Sequence, residues 1–336
     1  MVYTQVKTKI VLSPSYDPWY NLALEEYLLR NLQPKEIILY LWQNENTVVI
    51  GRNQNTWKEC RCSILEAEGG KLARRLSGGG AVFHDLGNLN FTFLMDRRLY
   101  DLSRQLQVIL EGVRSLGINA EFTGRNDLTV EGKKFSGNAF YLEKDKAYHH
   151  GTVLIHVDSA KVAKYLQVSK EKMAAKGVES VQARITNLQN YLPDLSIQEM
   201  KNTLMTSFQK IYGKCPEEPL VINSREKGLE ELYAKYSSWE WRYGKTPQFD
   251  LVLESRFPWG GIELGLKLNK GRIMEATLYS DAMNGTLIQE ISRSFQGKVF
   301  DSQVLSQALE ELNAEPEDQV ILENLQAWLK EKIKTV

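Results

Sequence analysis

Three consecutive glycines, Gly78, Gly79 and Gly80, stand in the stretch RRLSGGGAVFHD (74–85), and the strand residues directly after them constrain the fold more than any other feature of the chain. Each glycine held in regular structure costs roughly 0.5–1 kcal/mol relative to alanine, so the run costs roughly 2–3 kcal/mol and must serve some purpose. A dinucleotide fold needs G-x-G-x-x-G opening a helix, with the pyrophosphate at the helix N-terminus. A P-loop needs Gly-Lys followed by Ser or Thr. Here the glycines run into AVFH and NLNFTFLM, which are strand residues, and Gly132-Lys133-Lys134 lacks both the hydroxyl and the upstream glycine spacing. Both helix-based phosphate loops are therefore set aside. From the glycines alone two readings stay open. One is a backbone nest whose N–H groups converge on an anion that no Cβ obstructs, with Arg74 and Arg75 adding charge through their planar forks. The other is a flexible turn between two strands.

The surrounding pattern alternates helices and strands. Asp17-Pro18 before WYNLALEEYLLRNL reads as a capped helix, with Leu24, Tyr27, Leu28 and Asn31 on one side. EIILYLW and NTVVIG read as strands, KECRCSILEAEGG as a helix ending at a glycine pair, and KLARR as a short strand into the glycines. DLSRQLQVILEGVRSLG carries apolar residues at a helical period and stops at Gly117. INAEFT, KKFSGNAFYL and AYHHGTVLIHV are further strands, and Ser196-Ile-Gln-Glu199 is a capping box opening a helix to Gly213. Past Trp239-Glu-Trp241 and YGKTPQFD the texture changes to three strand-like segments followed by helical ones, which sets a boundary near 245–250.

A second constellation, GRNDLTVEGKKFSGNAF (124–140), places Asn126 and Asp127 at a turn entering a strand. Neighbouring strand side chains point to opposite faces, so only one of Lys133 and Lys134 can face a site. Strict alternation turns Phe135 away from Lys134 and puts Ser136 on the side of Lys134. Two surface lysines in a hairpin would give the same residues.

At 336 residues the chain is long enough for two domains, and 43% hydrophobic with 25% charged residues is a globular composition. Lys+Arg and Asp+Glu balance at 42 each, which argues against a general nucleic-acid binder. Cys60, Cys62 and Cys215 are too few for a disulfide framework and have no zinc-site spacing, so a reducing compartment is expected. MVYTQVKTKIVL has no leader-like apolar segment, and runs such as IILYLW are far below the ~20 residues needed to span a bilayer. A cytoplasmic protein without membrane or nucleic-acid partners is the expectation.

Together and in this order, Arg74 to Asn88 (RRLSGGGAVFHDLGN) and Arg125 to Ala139 resemble the lipoate–protein ligase family, matching RRxSGGGAVxHDxGN and RNDL…KxSGxA. The resemblance extends to DPWYNLALEEYLL, to HHGTVLIHVD (149–158) and to KGVESVQARITNL (176–188), covering most of residues 1–240. The downstream segment resembles the small C-terminal domain of the bacterial form.

The resemblance implies an α/β (α+β) fold: a biotin/lipoate ligase-like, class II synthetase-like catalytic domain with a mixed sheet over 1–246, and a small α/β accessory domain over 247–336. It implies an enzyme that activates lipoate with ATP and Mg²⁺ to lipoyl-AMP, releasing pyrophosphate, then transfers the lipoyl group to a lysine of its acceptors. Those are lipoyl domains of 2-oxoacid dehydrogenase E2 subunits and the glycine-cleavage H protein. By motif position Arg75, Ser77, Gly78, Gly79, Gly80, Ala81, Val82 and Phe83 match nucleotide and lipoate contacts. Lys134 matches the lysine that meets the carboxylate and the α-phosphate. Asn126 and Asp127 match the adenylate and magnesium side, and His84 and His149 fall near the lipoate pocket, with a histidine packed within a strand as the other reading of His149. YGKTPQFD is a candidate hinge for the accessory domain, and a monomer without a tightly bound prosthetic group is expected. Two relatives of the same fold stay open, a transferase using preformed lipoyl-AMP and an octanoyl transferase. The second needs a nucleophilic cysteine, and none of the three cysteines lies on the strands around Lys134.

Overall fold

The computed structural model describes residues 6–123, 127–167, 185–222, 226, 228–243 and 250–333. Asn126, most of KGVESVQARITNL and positions 244–249 of the candidate hinge lie outside them. The chain divides into two compact units. One comprises the chain up to Val49 with Trp57–Arg74 and Ala81–Arg242; the other comprises Ile50–Thr56, Arg75–Gly80 and the chain from Tyr243 on. The segment Arg75–Gly80, with all three glycines of the run, therefore groups with the C-terminal segment.

The first unit is built on a mixed eight-stranded sheet. Its strands are β1 (Lys7–Leu12), β2 (Glu36–Trp42), β6 (Asn88–Asp96), β7 (Ala120–Thr123), β8 (Asp127–Val130), β9 (Lys133–Leu142), β10 (Lys146–Leu154) and β11 (Leu220–Val221). They lie in the order β11-β1-β2-β6-β10-β9-β8-β7, with β1 parallel to β2 and β11 and the other pairs antiparallel. A smaller sheet joins β3 (Thr47–Ile50) to β4 (Lys71–Arg74) and β5 (Val82–His84).

Register assigns each central side chain to a face. Leu39, Phe93, His149 and Phe140 are directly opposite one another and share one face; Tyr40, Thr92, His150 and Ala139 share the other. The first face packs with the helices Leu102–Ser115 and Ile197–Tyr212 into a core that includes Phe91, Phe93, Phe135, Val108, Leu204 and Phe208. The helix Pro18–Arg30 lies against the second. Asp17 accepts from the Trp19 N–H at 3.1 Å and Pro18 opens the helix, as its sequence requires. One apolar side was expected of this helix, yet Glu25 and Glu26 are also buried. It is covered on a second side by the helix Leu229–Ser237, where the Tyr236 hydroxyl and the Lys235 ammonium donate to Glu26 at 2.7 and 2.6 Å.

KECRCSILEAEGG is two short helices, Thr56–Glu59 and Cys62–Ala67, rather than one. The break falls where Cys60 bridges Leu166 and the Arg61 N–H donates to the Tyr165 carbonyl at 2.8 Å, a pairing that a continuous helix cannot make.

The second unit carries the antiparallel strands β12 (Leu251–Phe257), β13 (Gly260–Asn269) and β14 (Arg272–Ser280), the three strand-like segments of the sequence. The helices Gly285–Phe295, Ser302–Glu310 and Gln319–Ile333 pack with them around Leu264, Leu266, Ile288, Ile291, Leu309 and Leu325. Among the described residues no helix is long and apolar enough to cross a membrane.

Candidate active site

Lys134 lies where β9 departs from regular pleating. Thr129 pairs with Lys134 but Leu128 pairs with Ser136, so Phe135 is an extra residue in the ladder. A bulge of this kind re-aims side chains. Phe135 is fully buried in the core, as alternation required, but Ser136 follows Leu128 to the core face and is buried there. The expectation that Ser136 shares the side of Lys134 is thus corrected, because the inserted residue shifts the parity of the strand. Gly137 takes that place. A Cβ on Gly137 would stand 3.2 Å from the Lys134 ammonium and 3.9 Å from the Thr152 hydroxyl, so the missing side chain is what leaves the lysine room. The ammonium is held by Asp127 at 2.6 Å, and the Lys134 carbonyl accepts from the Thr186 N–H at 2.8 Å. Lys133 is exposed.

From Lys134 a row of side chains crosses the sheet on one face. The Gly137 N–H donates to the Thr152 hydroxyl at 3.2 Å, Thr152 pairs with Asn90, and Asn90 pairs with Trp42. One step along the strands lie Tyr40, Thr92, His150 and Ala139. The face is buried and yet polar. The Trp42 indole donates to Thr92 at 3.0 Å, the Thr92 hydroxyl to Glu25 at 2.7 Å, and the His150 Nδ1 lies 2.9 Å from the same carboxylate oxygen. A buried carboxylate is tolerable only with such partners. The Trp42 ring meets His84 edge-on at 6.2 Å, and Asn44 donates to the His84 Nδ1 at 3.2 Å.

His149 is elsewhere. It is fully buried on the core face, ringed by Phe91, Phe93 and Phe140 at 5.2–5.8 Å, with its Nε2 at 2.8 Å from the Asn138 side-chain oxygen. Burial, with a smaller contribution from neighbouring His150, pushes its imidazole down to about 3. The structure therefore makes it a packed strand histidine, on the opposite face from Lys134, and it is His150 that shares the face of Lys134.

The glycine loop has three different glycines. Gly79 has φ +85°, a conformation that side-chain-bearing residues avoid, and its N–H donates to the Ala282 carbonyl at 3.0 Å. A Cβ on Gly78 would stand 2.2 Å from the Ala282 carbonyl oxygen, whereas one on Gly80 would meet nothing within 4 Å. The Arg75 guanidinium, itself buried, donates to the carbonyls of Gly78 and Gly80, each at 2.7 Å, and to the Ser77 hydroxyl at 3.0 Å. Arg52 donates its N–H to the Ser77 carbonyl at 2.9 Å. The loop is thus a braced turn, not a flexible one. Arg74 holds the carbonyls of Trp241 and Arg242, at 2.8 and 3.0 Å, rather than bracing the loop. Beyond the loop, Ala81 is half-buried, and Val82 and Phe83 continue as β5 paired with Val49 and Val48; the Phe83 ring lies 5.4 Å from Tyr165.

Lys134 and Asp127 are thus brought together, as are Arg75, Ser77, Gly78 and Gly80. Among the described residues no three carboxylate, His or Cys side chains converge to hold a metal ion. The polar face of β6 was missed from sequence, though its signal is there: Asn88, Asn90 and Thr92 alternate with Leu89, Phe91 and Phe93.

The model of the lipoyl protein ligase A/B catalytic domain matches residues 17–209, and that of the bacterial lipoate protein ligase C-terminus matches 246–329. Among solved structures, the chain is similar to Plasmodium falciparum LipL1, determined in complex with lipoate, at 30% identity over 96% of this chain and 99% of that one (TM-score 0.85). It is also similar to lipoate-protein ligase A bound with ATP, at 26% identity over 71% of this chain and 99% of that one (TM-score 0.61). A third is the bipartite lipoate protein ligase from Thermoplasma acidophilum, described with its E2 lipoyl domain, at 27% identity over 74% of this chain and 99% of that one (TM-score 0.62). With a catalytic-domain match over more than half its length and a C-terminal match after it, this chain belongs to the lipoate–protein ligase family.

Proposed function

We propose that the chain activates lipoate with ATP to lipoyl-AMP, with release of pyrophosphate, and then transfers the lipoyl group to a lysine of an apo lipoyl domain. The observation that carries this is Lys134. Its ammonium stands beside a side-chain-free position at the end of a buried polar face, with Asp127 as its carboxylate partner. The ATP and lipoate of the solved relatives support the same two substrates here.

Joining a carboxylate to the α-phosphate of ATP brings two anions together. A lysine charge between them offsets the repulsion where attack occurs, and Lys134 has that role. The lipoate oxygen displaces pyrophosphate from the α-phosphorus, giving a mixed anhydride. Mg²⁺ would accompany ATP as part of the substrate, and Asp127, which here holds the Lys134 ammonium, would be its carboxylate contact. Arg75, Ser77, Gly78, Gly79, Gly80, Ala81, Val82 and Phe83 are the proposed nucleotide and lipoate contacts. Within that stretch Gly79 supplies the backbone conformation and Gly80 the open approach. Asn126 is a further proposed adenylate contact, and His84, packed on Trp42, a lipoate one.

The second half-reaction needs a neutral amine, and at a reference pKa of ~10.4 only about one lysine in 2,500 is neutral at pH 7. Proximity and exclusion of water from the anhydride carry this step. Lipoyl domains of E2 subunits are the proposed acceptors, by analogy with the T. acidophilum system, with the H protein as a further one. The enzyme is proposed to act as a monomer in the cytoplasm.

A thiol-dependent octanoyl transferase is disfavoured because Cys60, Cys62 and Cys215 all lie off β8, β9 and β10, the strands around Lys134, and Cys60 and Cys62 are buried. The deciding experiment incubates the protein with lipoate, Mg²⁺-ATP and an apo lipoyl domain and measures acceptor mass. Modification from lipoate and ATP is expected. Modification only from added lipoyl-AMP would make it a transferase, and no modification from either would overturn the reading.

A further inference from the structure

Asn90 is a buried polar side chain that the proposed chemistry does not use. It lies in the middle of the row that runs from Lys134 to Trp42 and is 1% exposed. Its Oδ1 accepts from the Asn88 side-chain amide at 2.9 Å, which turns its own Nδ2 away from Asn88. That Nδ2 has no hydrogen-bond partner among the described residues. The Trp42 indole N–H goes to Thr92 and offers no acceptor; the Thr152 hydroxyl accepts from the Gly137 N–H and does not reach this Nδ2; the Asn88 Oδ1 is likewise without a partner among the described residues. A buried amide N–H without an acceptor is costly and marks a place where something else completes the bond.

The position of Asn90 defines what that partner is. The Lys134 ammonium stands beside Gly137, and Gly137, Thr152 and Asn90 are on successive strands β9, β10 and β6. Two inter-strand steps of ~4.8 Å put Asn90 about 10 Å from the ammonium. A carboxylate held at Lys134 therefore brings the far end of a chain of about eight carbons to Asn90. Resting on the lipoate reading above, we infer that Asn90 is a specificity-determining residue. Its Nδ2–H donates to an acceptor at the remote end of the acyl chain, which in lipoate is a ring sulfur. Sulfur is a weak acceptor but it is one; a hydrocarbon end leaves the amide unpaired. The site thereby favours a sulfur-bearing acid over a fatty acid of equal length.

The test measures kcat/KM for acid-dependent ATP–pyrophosphate exchange with three acids: lipoate, octanoate and the carbocyclic analogue of lipoate in which methylenes replace both sulfurs. The unaltered protein should prefer lipoate over the carbocycle by about fivefold to tenfold. Asn90→Leu, close in size, should bring that ratio near one, chiefly by raising kcat/KM for the carbocycle and octanoate. Equal use of lipoate and the carbocycle by the unaltered protein would overturn the inference, and this arm does not depend on the variant folding. An unchanged ratio in folded Asn90→Leu would overturn it as well. Either result leaves the ligase reading intact, whereas no exchange with any of the acids would remove the ligase reading and this inference with it.

Discussion

His149 and His150 are neighbours in the chain and have opposite surroundings. His149 sits among phenylalanines on the core face, its proton affinity lowered by burial, with Asn138 as its polar contact. His150 sits on the other face, bonded to a buried glutamate that also binds Thr92. One face of the sheet is a hydrophobic core with a single neutral imidazole embedded in it. The other is a polar layer under a helix, ending at Lys134. The difference shows that burial alone does not separate core from site in this fold, since both histidines are buried. What separates them is whether the polar groups around each belong to a connected network.

The sharpest way to break that contrast is Lys134→Ala. It should reduce lipoate-dependent ATP–pyrophosphate exchange at least about a hundredfold, with the thermal midpoint nearly unchanged because the side chain is partly exposed. Near-normal exchange would take Lys134 out of the mechanism. His149→Leu should do the reverse, sparing exchange while changing the pH dependence of stability. The folded imidazole titrates near about 3 and the unfolded one at ~6.5, so the unfolded chain binds the extra proton between those values. Stability from this group is fully present above pH ~6.5 and falls by about 1.4 kcal/mol per pH unit below it, down to the folded value. Urea titrations at pH 7 and pH 5 should show that slope in the unaltered protein and lose it in His149→Leu. His150→Leu removes a partner from buried Glu25 and should lower stability at pH 7 by about 1–3 kcal/mol while raising the KM for lipoate, read by denaturation and exchange kinetics. Ser136→Ala, on the core face, should change stability by less than about 1 kcal/mol and exchange by less than about twofold. A large loss of exchange there would return Ser136 to the side of Lys134. Lys133→Ala should have the smallest effect, within about twofold in exchange, because the residue is exposed.

Much of the architecture is legible without coordinates. Asp17-Pro18, Ser196 and Asp101 each open a helix by a local rule, and the Asp101 and Ser196 side chains do accept from the N–H groups three residues on, at 3.1 Å each. β2 reads as a buried strand from its unbroken apolar run. Lys134 and the glycine run are recognisable from their motifs. Alternation puts Ser136 on the side of Lys134, and the family resemblance leaves His149 either near the lipoate pocket or packed within its strand. The inserted Phe135 defeats the first, and the second cannot tell adjacent strand residues apart without the register. The polar alternation of β6 is plain in NLNFTF, but an alternating strand ordinarily turns its polar side to water. Only the helix lying over that face makes it an interior.

The sequence by itself determined most of the elements and the family and singled out Lys134 as a candidate, because caps, periodicity and motif chemistry act within a few residues of one another. The tertiary structure decided which of two histidines lies on the site's face and which glycine is open. It also decided that Asn90 is buried with an unpaired donor. Each of these depends on strands and loops far apart in the chain: β6 against β10, the bulge against β8, and Gly79 against Ala282. Side-chain direction is local, but what a side chain meets is set by whichever distant segment packs opposite it.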